Sequence, residues 1–197
     1  MASALKIQTA KDVYEPAEDS LLLAKHTRLL RGRILEIGCG SGIVALECAA
    51  TAPANEVEAV DINAAAVALA KKNAELNHVK NVKIYKSDLF AAVKNKFDWI
   101  VFNPPYLPTT KGDKVNGKLN AALDGGATGR ETIARFIEQA PAYLKKNGGL
   151  LLLVSSLTGV EEVLQLLNKN GFKADVIEEQ SFFFEKLVLI RAKPQRS

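Results

Sequence analysis

The stretch Asn103-Pro104-Pro105-Tyr106 follows an apolar run, Phe97-Asp98-Trp99-Ile100-Val101-Phe102, and stops it abruptly. Two consecutive prolines lack N–H donors and fix φ near about −65°, so Asn103 is pushed out of helical space and held where a strand ends. The Asn103 side-chain oxygen and the backbone carbonyl of Asn103 or Pro104 can together accept both hydrogens of a planar –NH2 group, while the Tyr106 ring covers its flat face. This is a seat for an amide or exocyclic amine. Asn103, Pro104 and Tyr106 form the candidate catalytic set, and Asn103, Pro104, Pro105 and Tyr106 the candidate substrate contacts. An Asn-Pro pair alone reads as a turn that ends a strand. All four residues directly after such a strand do not.

A second constellation begins at the buried strand Arg33-Ile34-Leu35-Glu36-Ile37, followed by Gly38-Cys39-Gly40-Ser41-Gly42 and an apolar helix from Ile43 to Ala50. Strand, glycine-rich turn and helix N-terminus make a nucleotide-binding arrangement, and Asp61 ends the next strand about twenty residues on, where it can accept from two ribose hydroxyls. A dinucleotide fingerprint would want glycine at Ile43. Here the spacing is Glu36-x-Gly38-x-Gly40-x-Gly42, and Glu36 suits a cationic ligand better than a pyrophosphate. The pattern resembles the first motif of S-adenosylmethionine-dependent methyltransferases, whose ligand carries an ammonium and a sulfonium and no phosphate. That resemblance gives Asp88 to the adenine amine and Leu89 to the adenine ring. Taken singly, Asp61 reads as a helix cap and Asp88 as a loop carboxylate; their placement after successive strands favours the ligand roles.

The elements that must position these groups follow from periodicity. Asp12-Val13-Tyr14-Glu15-Pro16-Ala17-Glu18-Asp19-Ser20 opens a helix with Pro16 at its first position and carboxylates in its first turn, running to about Leu30. Strands are predicted at Val57 to Val60, Val82 to Tyr85 and Asp98 to Phe102, and an all-apolar one at Leu150 to Val154 opened by Gly148-Gly149. Asn63 caps a helix bearing Val67, Ala70 and Ala74, and Thr128 caps one bearing Ile133, Phe136 and Ile137, with a kink at Pro141. Leu107 to Ala127 has no periodicity and reads as a functional loop. A helix over Val160 to Leu167 ends at Asn170-Gly171, and Lys173–Ile177 and Glu185–Arg191 close as a hairpin with Phe182-Phe183-Phe184 in its core. Alternating strands and helices imply an α/β three-layer sandwich, a Rossmann-like, seven-stranded, mostly parallel sheet with a terminal antiparallel hairpin. Residues 1–197 read as a single domain with an N-terminal helical extension over about 12–30.

Composition narrows the function classes. At 197 residues and a net charge of +4, with lysines scattered rather than massed, the chain permits an acidic or nucleic-acid partner without demanding one. Cys39 and Cys48 lack metal-ligand spacing, so no metal site is expected, and His26 and His78 read as surface helix residues. No run of signal or membrane-spanning length is visible, which implies the cytoplasm.

With DVYEPAEDS, LEIGCGSG, VDIN, SDLF, FNPPYLP and GGATGRET in order over about residues 12 to 191, the chain resembles the HemK family of protein glutamine-N5 methyltransferases. More narrowly, it is similar to the short archaeal and eukaryotic branch that modifies class-1 peptide release factors. The resemblance implies S-adenosyl-L-methionine as cofactor, held by Ser20, Glu36, Gly38, Gly40, Asp61, Asp88, Leu89 and Asn103. It implies the Gly-Gly-Gln loop of a release factor as substrate, and a small zinc-binding activator subunit at an edge strand around Val82 to Tyr85. NPPY is shared with adenine-N6 and guanine-N2 methyltransferases of nucleic acids, so that reading, a protein lysine methyltransferase and a non-catalytic cofactor-binding scaffold stay open. Asp124 has no reading.

Overall fold

Residues 5–105, 128–183 and 185–195 are described by the computed structural model. Strand alternation sets its layers. Leu150, Leu152 and Val154 of β5 (Leu144–Ser155) share one buried cluster with Val188, Ile190 and Ala192 of β7 (Lys186–Pro194), while Leu151, Leu153, Leu187 and Leu189 join another on the opposite face. A period of two sends neighbours to opposite sides of a sheet, so an all-apolar strand must be covered on both. The helices supply the covers. Leu22 and Leu23 of α1 (Glu18–Thr27), Val44 and Leu46 of α2 (Ile43–Thr51) and Val67 and Ala70 of α3 (Ala64–Leu76) pack on one face. Ile133, Phe136 and Ile137 of α4 (Glu131–Gln139), with Val163 and Leu167 of α5 (Val160–Lys169), pack on the other. Burying a Leu, Ile or Phe side chain of this kind contributes about 1.5–3 kcal/mol.

The seven strands among the described residues form one sheet in the order β3-β2-β1-β4-β5-β7-β6. β1 (Arg33–Ile37) lies parallel between β2 (Glu56–Asp61) and β4 (Phe97–Phe102), with Ile37 level with Val60 and Phe102. β2 pairs in parallel with β3 (Val82–Lys86), β4 in parallel with β5, and β7 antiparallel with both β5 and β6 (Phe172–Ser181). The carboxyl ends of β1, β2, β3 and β4 therefore meet at one edge. The chain crosses from one side of β1 to the other there, and ligands of open α/β sheets bind at such a crossing.

Several local expectations are corrected. α1 begins at Glu18, two residues after Pro16, and ends at Thr27. The N-cap of α4 is Arg130; Thr128 instead donates from its N–H and its hydroxyl to the Glu131 carboxylate across Gly129, whose φ of +75° turns the chain ahead of the helix. α4 does not kink at Pro141 but stops at Gln139, giving way to a 3-10 turn over Ala140–Tyr143. β5 starts at Leu144, so Gly148 and Gly149 lie inside it, beside a register shift between Phe97 and Trp99 of β4. Phe182 packs on the core, but Phe183 is 93% exposed at the hairpin turn. β3 is a sheet edge as expected, yet Ile84 points inward and is buried. Tyr106 and Leu107 to Ala127, with their assigned roles, lie outside the described residues.

The chain ahead of α1 runs extended over α3. Asn73, wholly buried, accepts from the Gln8 N–H and donates to the Gln8 and Ser41 carbonyls, and Asn77 pairs with both backbone groups of Lys6. Asn63 accepts from the Ala65 N–H, capping α3 as predicted, and donates to the Asp12 carbonyl. Three asparagines thus tie the leading segment down and carry it to Tyr14 and Asp19.

Candidate active site

A cavity of about 380 Å³ opens at the shared carboxyl edge. Ser20, Glu36, Gly38, Gly40, Asp61, Asp88, Leu89, Asn103, Pro104 and Pro105 all line it, so every described residue assigned to the cofactor or the substrate comes to one place.

Its first half is the glycine-rich turn. Gly38, Gly40 and Gly42 have φ of +68°, +52° and +87°, a left-handed region that side chains disfavour. The Cys39 N–H donates to the Val60 carbonyl, binding the turn to β2, and the Gly42 N–H donates back to the Cys39 carbonyl. A Cβ at Gly42 would come within 3.0 Å of the Ala70 Cβ, so that glycine serves the packing of α2 on α3. A Cβ at Gly40 would meet nothing within 4 Å. Gly40 therefore leaves backbone open to a ligand, whereas Gly42 serves the fold.

Two carboxyls brace this turn. Glu36 accepts from the Ala45 N–H at 2.8 Å, satisfying an otherwise unpaired donor in the first turn of α2. Asp61 accepts from the Gly40 N–H at 2.9 Å and from the Asn63 N–H at 2.8 Å. Burial pushes Glu36 well above the usual carboxyl range, against the Ala45 hydrogen bond that favours its charge, and the nearby Asp61 pushes it further up. Asp61 is raised as well, chiefly by burial. Two carboxyls short of compensating positive charge make this half of the cavity receptive to a cation.

At the end of β3, Ser87 donates to the Leu89 carbonyl and accepts from the Ala92 N–H, holding Leu89 at φ +44°. Asp88 has both carboxylate oxygens on Arg135 of α4, at 3.0 and 3.2 Å, in a half-exposed pair.

The second half is built around Asn103. Its Nδ2 donates to Asp19 Oδ2 at 2.9 Å, and its buried Oδ1 has no partner among the described residues. A buried amide oxygen left unpaired costs about 1–3 kcal/mol, and it is the atom a donor in the cavity would satisfy. Asp19 is 3% exposed and accepts also from the Tyr14 hydroxyl, the Ser20 N–H and the Ser20 hydroxyl. Sequence reading placed Asp19 only as a first-turn carboxylate; the contact to Asn103 spans 84 residues and has no sequence signature. Arg135 and Glu185 also line the cavity without having been singled out, Glu185 by way of a hydrogen bond from Ser155. In the GGATGRET segment, Arg130 donates to the Thr158 carbonyl and anchors the entry to α4 beside the β5 end.

The pattern defining the methyltransferase small domain family matches residues 10–183. A putative protein N5-glutamine methyltransferase of Methanocaldococcus jannaschii is 47% identical over 189 residues, covering 95% of this chain and 95% of that protein. A release factor glutamine methyltransferase of Geobacter sulfurreducens is 34% identical over 79% of this chain, which spans 55% of that longer protein. Among solved structures, the E. cuniculi Mtq2-Trm112 complex, responsible for methylating the eRF1 translation termination factor, matches with a TM-score of 0.70 and 26% identity over 93% of this chain and 99% of that one.

Proposed function

The chain belongs to the methyltransferase small domain family, among the protein glutamine-N5 methyltransferases of the HemK type, and on that premise we propose that it methylates the side-chain amide nitrogen of a glutamine in a class-1 peptide release factor. Family and fold imply a methyl donor. The proposed donor is S-adenosyl-L-methionine, which when bound supplies an electrophilic sulfonium methyl group and leaves as a neutral thioether. The open backbone at Gly40 and the two uncompensated carboxyls, Glu36 and Asp61, fit a cationic, phosphate-free ligand. In this reading Ser20, Glu36, Gly38 and Gly40 face its methionyl part, Asp61 its ribose, and Asp88 and Leu89 its adenine.

The observation that carries the proposal is the buried, unpartnered Asn103 Oδ1 sharing a cavity with those carboxyls. An amide nitrogen is a weak nucleophile because its lone pair is delocalised into the carbonyl. Asn103 Oδ1 accepts one N–H and the Pro104 carbonyl the other, and two acceptors gripping both hydrogens favour a localised lone pair aimed along one axis. Orientation of this kind can supply several kcal/mol. Pro104 and Pro105 keep the seat rigid, and Tyr106 is assigned to cover the amide plane. Nitrogen gains the methyl carbon and releases one proton to solvent.

Release-factor methylation is supported by what the relatives are named for, and a small partner subunit by the Trm112 chain in the solved relative. We place that subunit, zinc-binding by family resemblance, on the free edge of β3 and the whole in the cytoplasm as a single domain. No helix among the described residues is long and apolar enough to cross a membrane. Because Ile84 is core, reversing charge at the exposed Lys83 and Lys86 is the apt test of the edge. Co-purification of the subunit should be lost while cofactor affinity is kept; undiminished co-purification moves the interface elsewhere.

The substrate is tested by mass spectrometry of release factor incubated with the protein and S-adenosylmethionine. The peptide bearing the Gly-Gly-Gln glutamine gains one methyl mass, and a Gln→Asn substrate, one methylene short, reacts poorly. Methylation of lysine or of RNA with release factor untouched would overturn the assignment.

A further inference from the structure

Asn103 has two chemically different ends, and only one orientation of its amide is compatible with its surroundings. Nδ2 lies 2.9 Å from Asp19 Oδ2; turned over, Oδ1 would face that carboxylate oxygen, acceptor against acceptor. Asp19 is itself held fast. Its Oδ1 takes the Ser20 N–H at 2.6 Å and the Ser20 hydroxyl at 3.2 Å, its Oδ2 takes the Tyr14 hydroxyl at 3.2 Å, and no Lys or Arg among the described residues pairs with it. A carboxylate can only accept, so everything it touches must present hydrogen. The unsatisfied Asn103 Oδ1 is the consequence on the far side of the amide.

We infer that Asp19 is a positioning residue that sets the polarity of the seat: by claiming the Asn103 N–H it turns Oδ1 toward the substrate, so the site takes a hydrogen-bond donor and rejects an acceptor. This rests on the proposed function and adds its basis for choosing a glutamine amide over a glutamate carboxylate. The two groups have nearly the same shape. Shape alone cannot separate them; the direction of one amide can.

Asp19→Asn tests this. The Ser20 N–H keeps the oxygen of the substituted side chain on its own side, so the new –NH2 group faces Asn103 and demands an acceptor. Asn103 then turns over and aims Nδ2 into the cavity. Release-factor methylation falls about 100-fold, the size expected for one misdirected hydrogen bond at a reacting group, while S-adenosylmethionine affinity stays within about threefold. Adding Asn103→Asp to Asp19→Asn restores the pattern, since the introduced carboxylate accepts from the introduced amide with one oxygen and offers the other to the substrate. The double variant should regain at least about tenfold over Asp19→Asn. Asn103→Asp alone sets two carboxylates together and should be inactive.

A readout on the protein alone separates this inference from the substrate assignment. The Asn103 side-chain amide protons, identified in nuclear magnetic resonance by their loss in Asn103→Ala, exchange slowly in the wild type and at least about tenfold faster in Asp19→Asn. If wild type leaves release factor unmethylated but this exchange difference is found, the substrate reading fails and the orienting role stands. Unchanged exchange, wild-type turnover in Asp19→Asn, or a double variant no better than the single one overturns the inference. Should Asp19→Asn not fold, slow exchange must still be seen in the wild type; fast exchange there overturns it equally.

Discussion

The two halves of the cavity treat their polar groups in opposite ways. In the glycine-rich half, Glu36 and Asp61 already hold backbone N–H groups at 2.8 to 2.9 Å, so the same carboxyls that would meet a ligand also shape the turn. In the Asn103 half, one end of the amide is gripped by Asp19 and the other is left unsatisfied among the described residues. The first half is braced and holds two carboxyls whose charged form burial disfavours; the second is oriented and carries a free acceptor. A cation can relieve the first and a planar donor the second, and substitutions should separate the two.

The largest expected effect is at Asn103. Asn103→Ala removes an acceptor needed only while the amide is being aligned, and turnover should drop by about 10³-fold. A steady-state assay with saturating cofactor measures it, and a loss under tenfold would mean that the seat lies elsewhere. Next is Asp61→Asn, which keeps the shape but turns one oxygen into an –NH2 group facing the Gly40 or Asn63 N–H. Cofactor affinity should weaken by about 10- to 100-fold as the turn loses its brace and the ribose its acceptors.

The smallest effect has an unusual sign. Glu36 is raised by burial, so the folded protein holds a proton that the unfolded chain releases at the same pH. That contribution to stability is complete below the ordinary carboxyl range and is lost as pH rises through the raised folded value. Glu36→Gln keeps an oxygen for the Ala45 N–H and removes the charge, so at pH 8 the unliganded variant should melt about 2–6 °C higher than the wild type. The gap should close toward pH 4, and S-adenosylmethionine should bind about tenfold more weakly. A variant melting lower at pH 8 would show that Glu36 is compensated within the fold.

The same contrast explains what the sequence disclosed. Glu36 braces Ala45 nine residues on and Asp61 reaches back 21 residues to Gly40, both inside one strand-turn-helix-strand unit whose spacing is readable. The layered sheet was readable for a similar reason: unbroken apolar runs such as Leu150 to Val154 and Leu187 to Ile190 demand cover on both faces. Asn103 announced itself through the two prolines after it. Asp19 did not, because a first-turn carboxylate is ordinary and its partner is 84 residues away. Edges misled for local reasons. Gly148-Gly149 looked like a strand opening, but β5 pairs from Leu144 through a register shift; Phe183 looked like core, but a hairpin turn lifts it out.

Calorimetric titration of S-adenosylmethionine into Asn103→Ala and Asp61→Asn, each paired with its methyl-transfer rate, bears most directly on the division between the halves. Asn103→Ala should bind the cofactor within about threefold of the wild type and fail to transfer, because its lost acceptor belongs to the substrate seat. Asp61→Asn should bind weakly and recover much of its turnover at high cofactor concentration. Loss of cofactor affinity in Asn103→Ala as severe as that in Asp61→Asn would contradict the account, since one shared site would then be doing what two separable halves are claimed to do.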